Sequence, residues 1–304
     1  MYVTGFIQNS STNTFAVQFG GTALNGVGSS ASADVFVAKY LDAGTSAAYQ
    51  WGTAGGGTST DIGYGIAVSG SRVEVGGGVG GGVARFGPYG PLPANTAARA
   101  SLDPATGAWQ DASSPQGAGA STVRATAVNA AGEVFVTGNF SGQVGFGATV
   151  LTSAGDQDVF VAKWNPAAAA WAWATAGGGT GADQANGLAV SGTGVFVTGS
   201  ITNTSANASA VQFGGTPLNG VSAGATQDVF VAKYTDAGSS AIYNWARAGG
   251  GTRSDVGQGI AVSGTGVYVT GFIQNNNTNG FAVQFGGTAL NGTSTGLSND
   301  VFVA

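Results

Sequence analysis

One pentapeptide, Asp-Val-Phe-Val-Ala, begins at Asp34, Asp158, Asp228 and Asp300 of the 304 residues, and it restricts the fold more than any other feature. Two further motifs recur with it. Val-Thr-Gly, or a near variant, begins at Val3, Val75, Val136, Val197 and Val269, at spacings of 72, 61, 61 and 72 residues. Gly-Gly-Gly-Thr-x-x-Asp-x-x-x-Gly-x-Ala-Val-Ser-Gly begins at Gly55, Gly177 and Gly249. Such a unit cannot bury its apolar face alone and must stack on its neighbours, so the chain reads first as a repeat architecture. The longer copies carry an insertion of about eleven residues.

Within a copy the pattern is all strand. Val35-Phe36-Val37-Ala38-Lys39-Tyr40 and its counterparts are short, β-branched and aromatic, with approximate alternation. Ser69-Gly70 and Asp236-Ala237-Gly238 sit between such runs as hairpin turns. Ala167–Ala170, which alone favours a helix, falls at a turn position. Each copy therefore offers four antiparallel strands, and recurrence at 61–72 residues reads as the blades of a β-propeller. A β-solenoid is the competing architecture, but its rungs are shorter and need no alternating hairpins. The excess length, as in Phe15–Gly21, is expected to form an extra ribbon on the blade. The expected divisions of this single repeat domain are a partial blade at 1–57, blades at 58–119, 120–180 and 181–252, and a partial blade at 253–304.

These motifs, in the order Asp-Val-Phe-Val-Ala-Lys-Tyr, Trp, Ala-Gly-Gly-Gly-Thr-x-x-Asp, Gly-Ile-Ala-Val and Val-Tyr-Val-Thr-Gly, resemble the bacterial SBBP repeats, named for seven-bladed β-propellers. The resemblance spans the chain and is weakest over residues 78–122, where Val83–Gly87 and Ala98–Asp103 lack the Asp and Lys. It implies a propeller fold in a secreted or cell-surface protein, and it brings no catalytic motif with it.

Composition removes whole classes of function. With no Cys and no His there is no disulfide, no thiolate or imidazole metal site, and no Ser-His-Asp or Cys-His arrangement. A net charge of −5 argues against a nucleic-acid partner. No apolar run reaches the roughly 18 residues of a membrane helix. Met-Tyr-Val-Thr-Gly-Phe is no signal peptide, which leaves the extracellular or cell-surface setting implied by the repeats untouched.

Several residues carry a functional reading beside a bland one. Asp61, Asp183 and Asp255 close the Gly-rich loop, with Ser121 in the corresponding place of another copy. They would either contribute to a Ca²⁺ site, the single cofactor reading, or accept backbone hydrogen bonds in a tight turn; the second is preferred. Asp34, Asp158, Asp228 and Asp300, with Lys39, Lys163 and Lys233, read as structural charges on opposite strand faces, pairing with neighbouring blades or covering apolar surface. A paired-carboxylate glycosidase is formally compatible with their chemistry, but the Asp residues are repeat equivalents and suit scaffolding. Trp51, Trp109, Trp173 and Trp245 recur on the fourth strand as inter-blade anchors, or alternatively as sugar-stacking platforms. Asn9, Asn203 and Asn276 head Asn-x-Ser/Thr sequons in one insertion loop and are candidate glycosylation sites.

Tyr2–Ala38 and Tyr268–Ala304 share 28 of 37 residues, and both ends of the chain interrupt a blade. This reads as a fragment of a longer chain, or as a protomer whose partial blades are completed by strands of a neighbour. The expectation is a non-enzymatic extracellular structural or adhesive module, a homo-oligomer or a head-to-tail filament or surface array. A lectin-like propeller binding surface glycans is the alternative.

Overall fold

The computed structural model describes residues 1–8, 17–27, 32–202, 211–220, 226–274, 283–290 and 299–304. These carry 28 strands and no helix, in two compact units, Met1–Val134 and Phe135–Ala304. Asn9, Asn203 and Asn276 lie outside the described residues.

The first unit runs β1 (Tyr2–Gln8), β2 (Val17–Phe19), β3 (Thr22–Leu24), β4 (Ala33–Asp42), β5 (Ala47–Gly55), β6 (Ile62–Ser69), β7 (Arg72–Val79), β8 (Ala84–Phe86), β9 (Tyr89–Leu92), β10 (Thr96–Leu102), β11 (Trp109–Ser113) and β12 (Ala120–Val128). Two antiparallel meanders dominate it, β1-β4-β5 and β6-β7-β10-β11, with β2-β3 and β8-β9 as separate ribbons. The Asp-Val-Phe-Val-Ala segment is the central strand β4, and its alternation serves two apolar layers. Val35 and Val37 pack with Val73, Val75, Ala98 and Ala100 of the following meander. Phe36 and Ala38 face the other way, against Phe19 and Leu24 of the β2-β3 ribbon. Full burial of each such Val or Phe contributes roughly 1.5–3 kcal/mol.

The second unit runs β13 (Val134–Ser141), β14 (Gln143–Phe146), β15 (Thr149–Thr152), β16 (Asp158–Asn165), β17 (Ala170–Gly178), β18 (Gln184–Ser191), β19 (Gly194–Thr202), β20 (Val211–Phe213), β21 (Thr216–Leu218), β22 (Gln227–Asp236), β23 (Ala241–Gly250), β24 (Val256–Ser263), β25 (Gly266–Gln274), β26 (Val283–Phe285), β27 (Thr288–Leu290) and β28 (Asn299–Val303). The β18-β19-β22-β23 meander continues into the β26-β27 ribbon, as β13-β16-β17 continues into β20-β21, and β24-β25-β28 forms a further sheet. The insertions therefore form ribbons, and two of these, β20-β21 and β26-β27, clip onto the outer strand of the preceding copy, whereas β14-β15, like β2-β3 and β8-β9, is a separate two-stranded sheet.

The glycines of the Gly-Gly-Gly motif make that clip fit. Gly177 pairs with Phe213, and Gly249 with Phe285. At either glycine a Cβ would overlap the Phe ring, so close approach requires its absence. A bulge recurs after Lys39, Ser101, Lys163 and Lys233, which sets Lys39 opposite Trp51 and Tyr40 opposite Tyr49. Register across this bulge decides which aromatic residue serves which layer.

Candidate functional site

Two recurring corners hold the polar side chains that the sequence singled out. In the Gly-rich corner, Asp61 accepts the backbone N–H of Gly57 at 2.7 Å and of Gly80 at 3.0 Å. Asp183 does the same for Gly179 at 2.7 Å and Thr202 at 2.8 Å. Asp255 takes Gly251 at 2.7 Å and Gln274 at 2.9 Å. Each carboxylate thus ties its own turn to the end of a strand 19 residues on. Ser121 holds the equivalent place: its N–H meets the carbonyl of Asn95, as that of Asp61 meets Ala33, but its hydroxyl accepts Ala97 N–H instead.

The middle glycine of each motif abuts a second buried carboxylate: Gly56 meets Asp34, Gly178 meets Asp158 and Gly250 meets Asp228. Burial pushes Asp183 up to about 7 against its two amide donors, with Asp158 adding repulsion. Burial likewise raises Asp255 to about 6, and it raises Asp61 and Asp158 despite the N–H bonds to each. These corners supply two carboxylates each, and no cluster of three or more acidic ligands exists among the described residues. Ca²⁺ takes six to eight oxygens, so any ion here would depend on carbonyls and water for the balance.

The second corner lies across the bulge. Lys163 sits over the Phe135 ring at 5.7 Å and faces Trp173 in register. Its ammonium donates to Asp236 Oδ2 at 2.8 Å, and the Trp173 indole N–H donates to Asp236 Oδ1 at 2.9 Å. Asp236 belongs to the β22-β23 turn of the next copy, so one carboxylate closes the corner between consecutive repeats. The first unit builds the same corner on a carbonyl: Lys39 donates to Pro104 O at 2.7 Å, and Trp51 and Tyr2 donate to it at 3.3 Å. Lys39 and Lys163 do pair with a neighbouring copy, through its turn and not through its Asp-Val-Phe-Val-Ala aspartate, while Lys233 lies over the Phe196 ring.

A third version carries different residues. In β10-β11, Ser101 faces Asp111, and the partner of Leu102 is Trp109. Trp109 is therefore the counterpart of Tyr49 and Trp171, not of Trp51, Trp173 and Trp245, which corrects the equivalence read from the sequence. It packs edge-on against Phe86 at 4.9 Å and donates its indole N–H to Ala54 O. The vacated position belongs to an ion network: Arg99, fully buried, meets Glu74 at 2.7 Å and Asp111, while Arg72 meets Asp111 at 2.8 Å. Burial raises Glu74 against the pull of Arg99. For Asp111, burial acts upward, but Arg99, Arg72 and Ser101 together hold the carboxyl below its ordinary range. The motif-breaking Glu74 and Arg99 were the available sequence signal for this network.

No family model and no curated protein matches the chain.

Proposed function

We propose that this is a non-enzymatic structural or adhesive module of the β-propeller kind, built as a protomer for a head-to-tail filament or surface array outside the cell. The observation that carries the reading is where the repeated polar groups go. Asp61, Asp183 and Asp255 are occupied by backbone amides, and Lys39, Lys163, Trp51 and Trp173 by the turn of the next copy. Side chains so engaged hold repeats together and leave little for substrate. The antiparallel meanders, the ribbons and the resemblance to SBBP repeats support blades, and that resemblance supports the cell-surface setting.

The low charge of the chain, 9 basic and 14 acidic residues in 304, gives little electrostatic protection against association. A head-to-tail contact that does not close propagates as a filament. The aspartates are assigned to the turns, so chelation with EDTA should leave the melting temperature unchanged; a Ca²⁺-dependent rise would reassign them. Electron microscopy and native mass spectrometry of the full chain test the assembly itself. Concentration-dependent oligomers or fibrils are expected, and a monomer at every concentration contradicts the reading. A glycan array giving signal that depends on exposed aromatics such as Tyr64 or Tyr268 would favour a lectin instead.

A further inference from the structure

A cavity in the second unit is lined by a buried carboxylate with one oxygen unused. It measures about 380 Å³ and lies between the turn before β16, the Gly-rich corner and the β20-β21 ribbon. Thr152, Asp158, Gly178, Gly179, Thr180 and Gln212 line it. Asp158 is 3% exposed. Its Oδ2 accepts the Ala154 N–H, whereas Oδ1 is buried and meets no donor among the described residues. The adjacent Gly179 N–H goes to Asp183 at 2.7 Å.

An acceptor buried without a donor carries its full desolvation cost, so the cavity is short of a hydrogen-bond donor. No basic side chain lines it. Asp183 sets a second carboxylate near the first: burial raises both, and Asp158 repels Asp183. The floor of the cavity therefore favours positive charge. Gly178 stands in register with Gln212, and a Cβ at Gly178 would strike Asp158 Oδ1, so only glycine leaves that oxygen uncovered on this side. The first unit gives a comparison. Gly56, the counterpart of Gly178, bridges Arg85. The place opposite the middle glycine thus carries a cationic residue there and the neutral Gln212 here. At the rim, Thr152, Thr180 and Gln212 are exposed and offer neutral acceptors.

We propose that this cavity binds a primary ammonium group, carried by a lysine side chain or by a free polyamine. Asp158 Oδ1 accepts one of its N–H groups at the floor, and the Gln212 amide oxygen and a threonine hydroxyl accept the others at the rim. A compact ammonium matches a single recessed oxygen better than the planar guanidinium fork, which is built for two. The site goes beyond the structural reading and does not depend on association: a monomer that binds ammonium overturns only the assembly.

Amide NMR titration of the full chain tests it, with butylammonium, N-acetyl-lysine methylamide, spermidine, tetramethylammonium and Ca²⁺ as separate probes. Saturable shifts at Ala154, Gly178 and Gly179 are expected with the primary amines. Tetramethylammonium has the charge but no N–H, and should bind at least about tenfold more weakly. Asp158→Asn should weaken butylammonium by about tenfold or more, and Gln212→Ala, at an exposed position, by about threefold. Circular dichroism checks that each variant keeps its fold, and the probe series on wild type stands without them. Tighter binding of the lysine derivative than of spermidine assigns the site to a protein partner, and the reverse order to a polyamine. No saturable shift with any primary amine overturns the proposal, as does an equal response to tetramethylammonium or undiminished binding to Asp158→Asn. Shifts with Ca²⁺ but not with amines overturn it in favour of a metal site.

Discussion

Where Lys163 faces Trp173 in the second unit, Ser101 faces Asp111 in the first, at the same place beside the same bulge. The first corner has one buried ammonium closed by a carboxylate of the next turn, with the indole sharing that carboxylate. The second has two guanidinium groups and two carboxylates, with Arg99 at 0% side-chain exposure and Glu74 at 1%. The Lys163 corner joins successive repeats, whereas the Glu74–Arg99–Asp111 network is contained within β7, β10 and β11. A position that couples neighbours in one copy is closed on itself in another. The repeat thus fixes where charge is buried more firmly than which groups carry it.

The comparison breaks most visibly at Arg99. Replacing Arg99 by Val strands Glu74 as a buried carboxylate without its guanidinium partner, while Asp111 keeps Arg72, and should cost about 3–5 kcal/mol in urea unfolding. Converting the network towards its counterparts, with Glu74→Phe, Arg99→Val and Asp111→Trp together, should recover most of that loss, since apolar replacement of a whole buried network is often neutral. A triple variant as unstable as the single one would show that the two corners are not interchangeable.

Removing the cap of the other corner comes next. Asp236→Ala leaves Lys163 buried without its carboxylate and Trp173 without an acceptor, and a cost of about 3 kcal/mol is expected from the same measurement. Lys39→Met, whose partner is the neutral carbonyl of Pro104, should cost less, about 1 kcal/mol. Equal losses would mean that carboxylate and carbonyl caps serve alike.

The Gly-rich corners add a pH dependence. Asp183 is raised to about 7 and Asp255 to about 6, both above their unfolded values. The native state therefore holds these protons more tightly than the unfolded chain. Their contribution is fully present below about pH 4 and is lost as pH rises through about 6 to 7. Thermal unfolding between pH 5 and 8 should show a falling melting temperature, and Asp183→Asn should flatten the slope. A melting temperature that rises over this interval would contradict the assignment.

Much of this was legible in the sequence. Alternation in Asp-Val-Phe-Val-Ala placed two apolar faces on β4, the turn residues located the hairpins, and the insertion length pointed to ribbons. The Asp61, Asp183 and Asp255 motif suggested carboxylates serving a tight turn. The equivalence of Trp109 was misread because it fills the first place of the aromatic-x-Trp pattern, that of Tyr49 and Trp171, while Asp111 takes the second, and a count of recurring tryptophans does not separate the two places. Nor was the partner of Lys163, since a period gives the distance between repeats but not which residue of the next turn arrives at the corner. The carbonyl of Pro104 left no side-chain signature at all.

The central claim is that Lys163 and Asp236 couple one repeat to the next, and a double-mutant cycle tests it most directly. Lys163→Met, Asp236→Asn and the double variant would be unfolded in urea against wild type. A coupling free energy of about 1–3 kcal/mol, with the double variant less destabilised than the sum of the singles, is the expected result. Additivity to within about 0.3 kcal/mol would contradict the account.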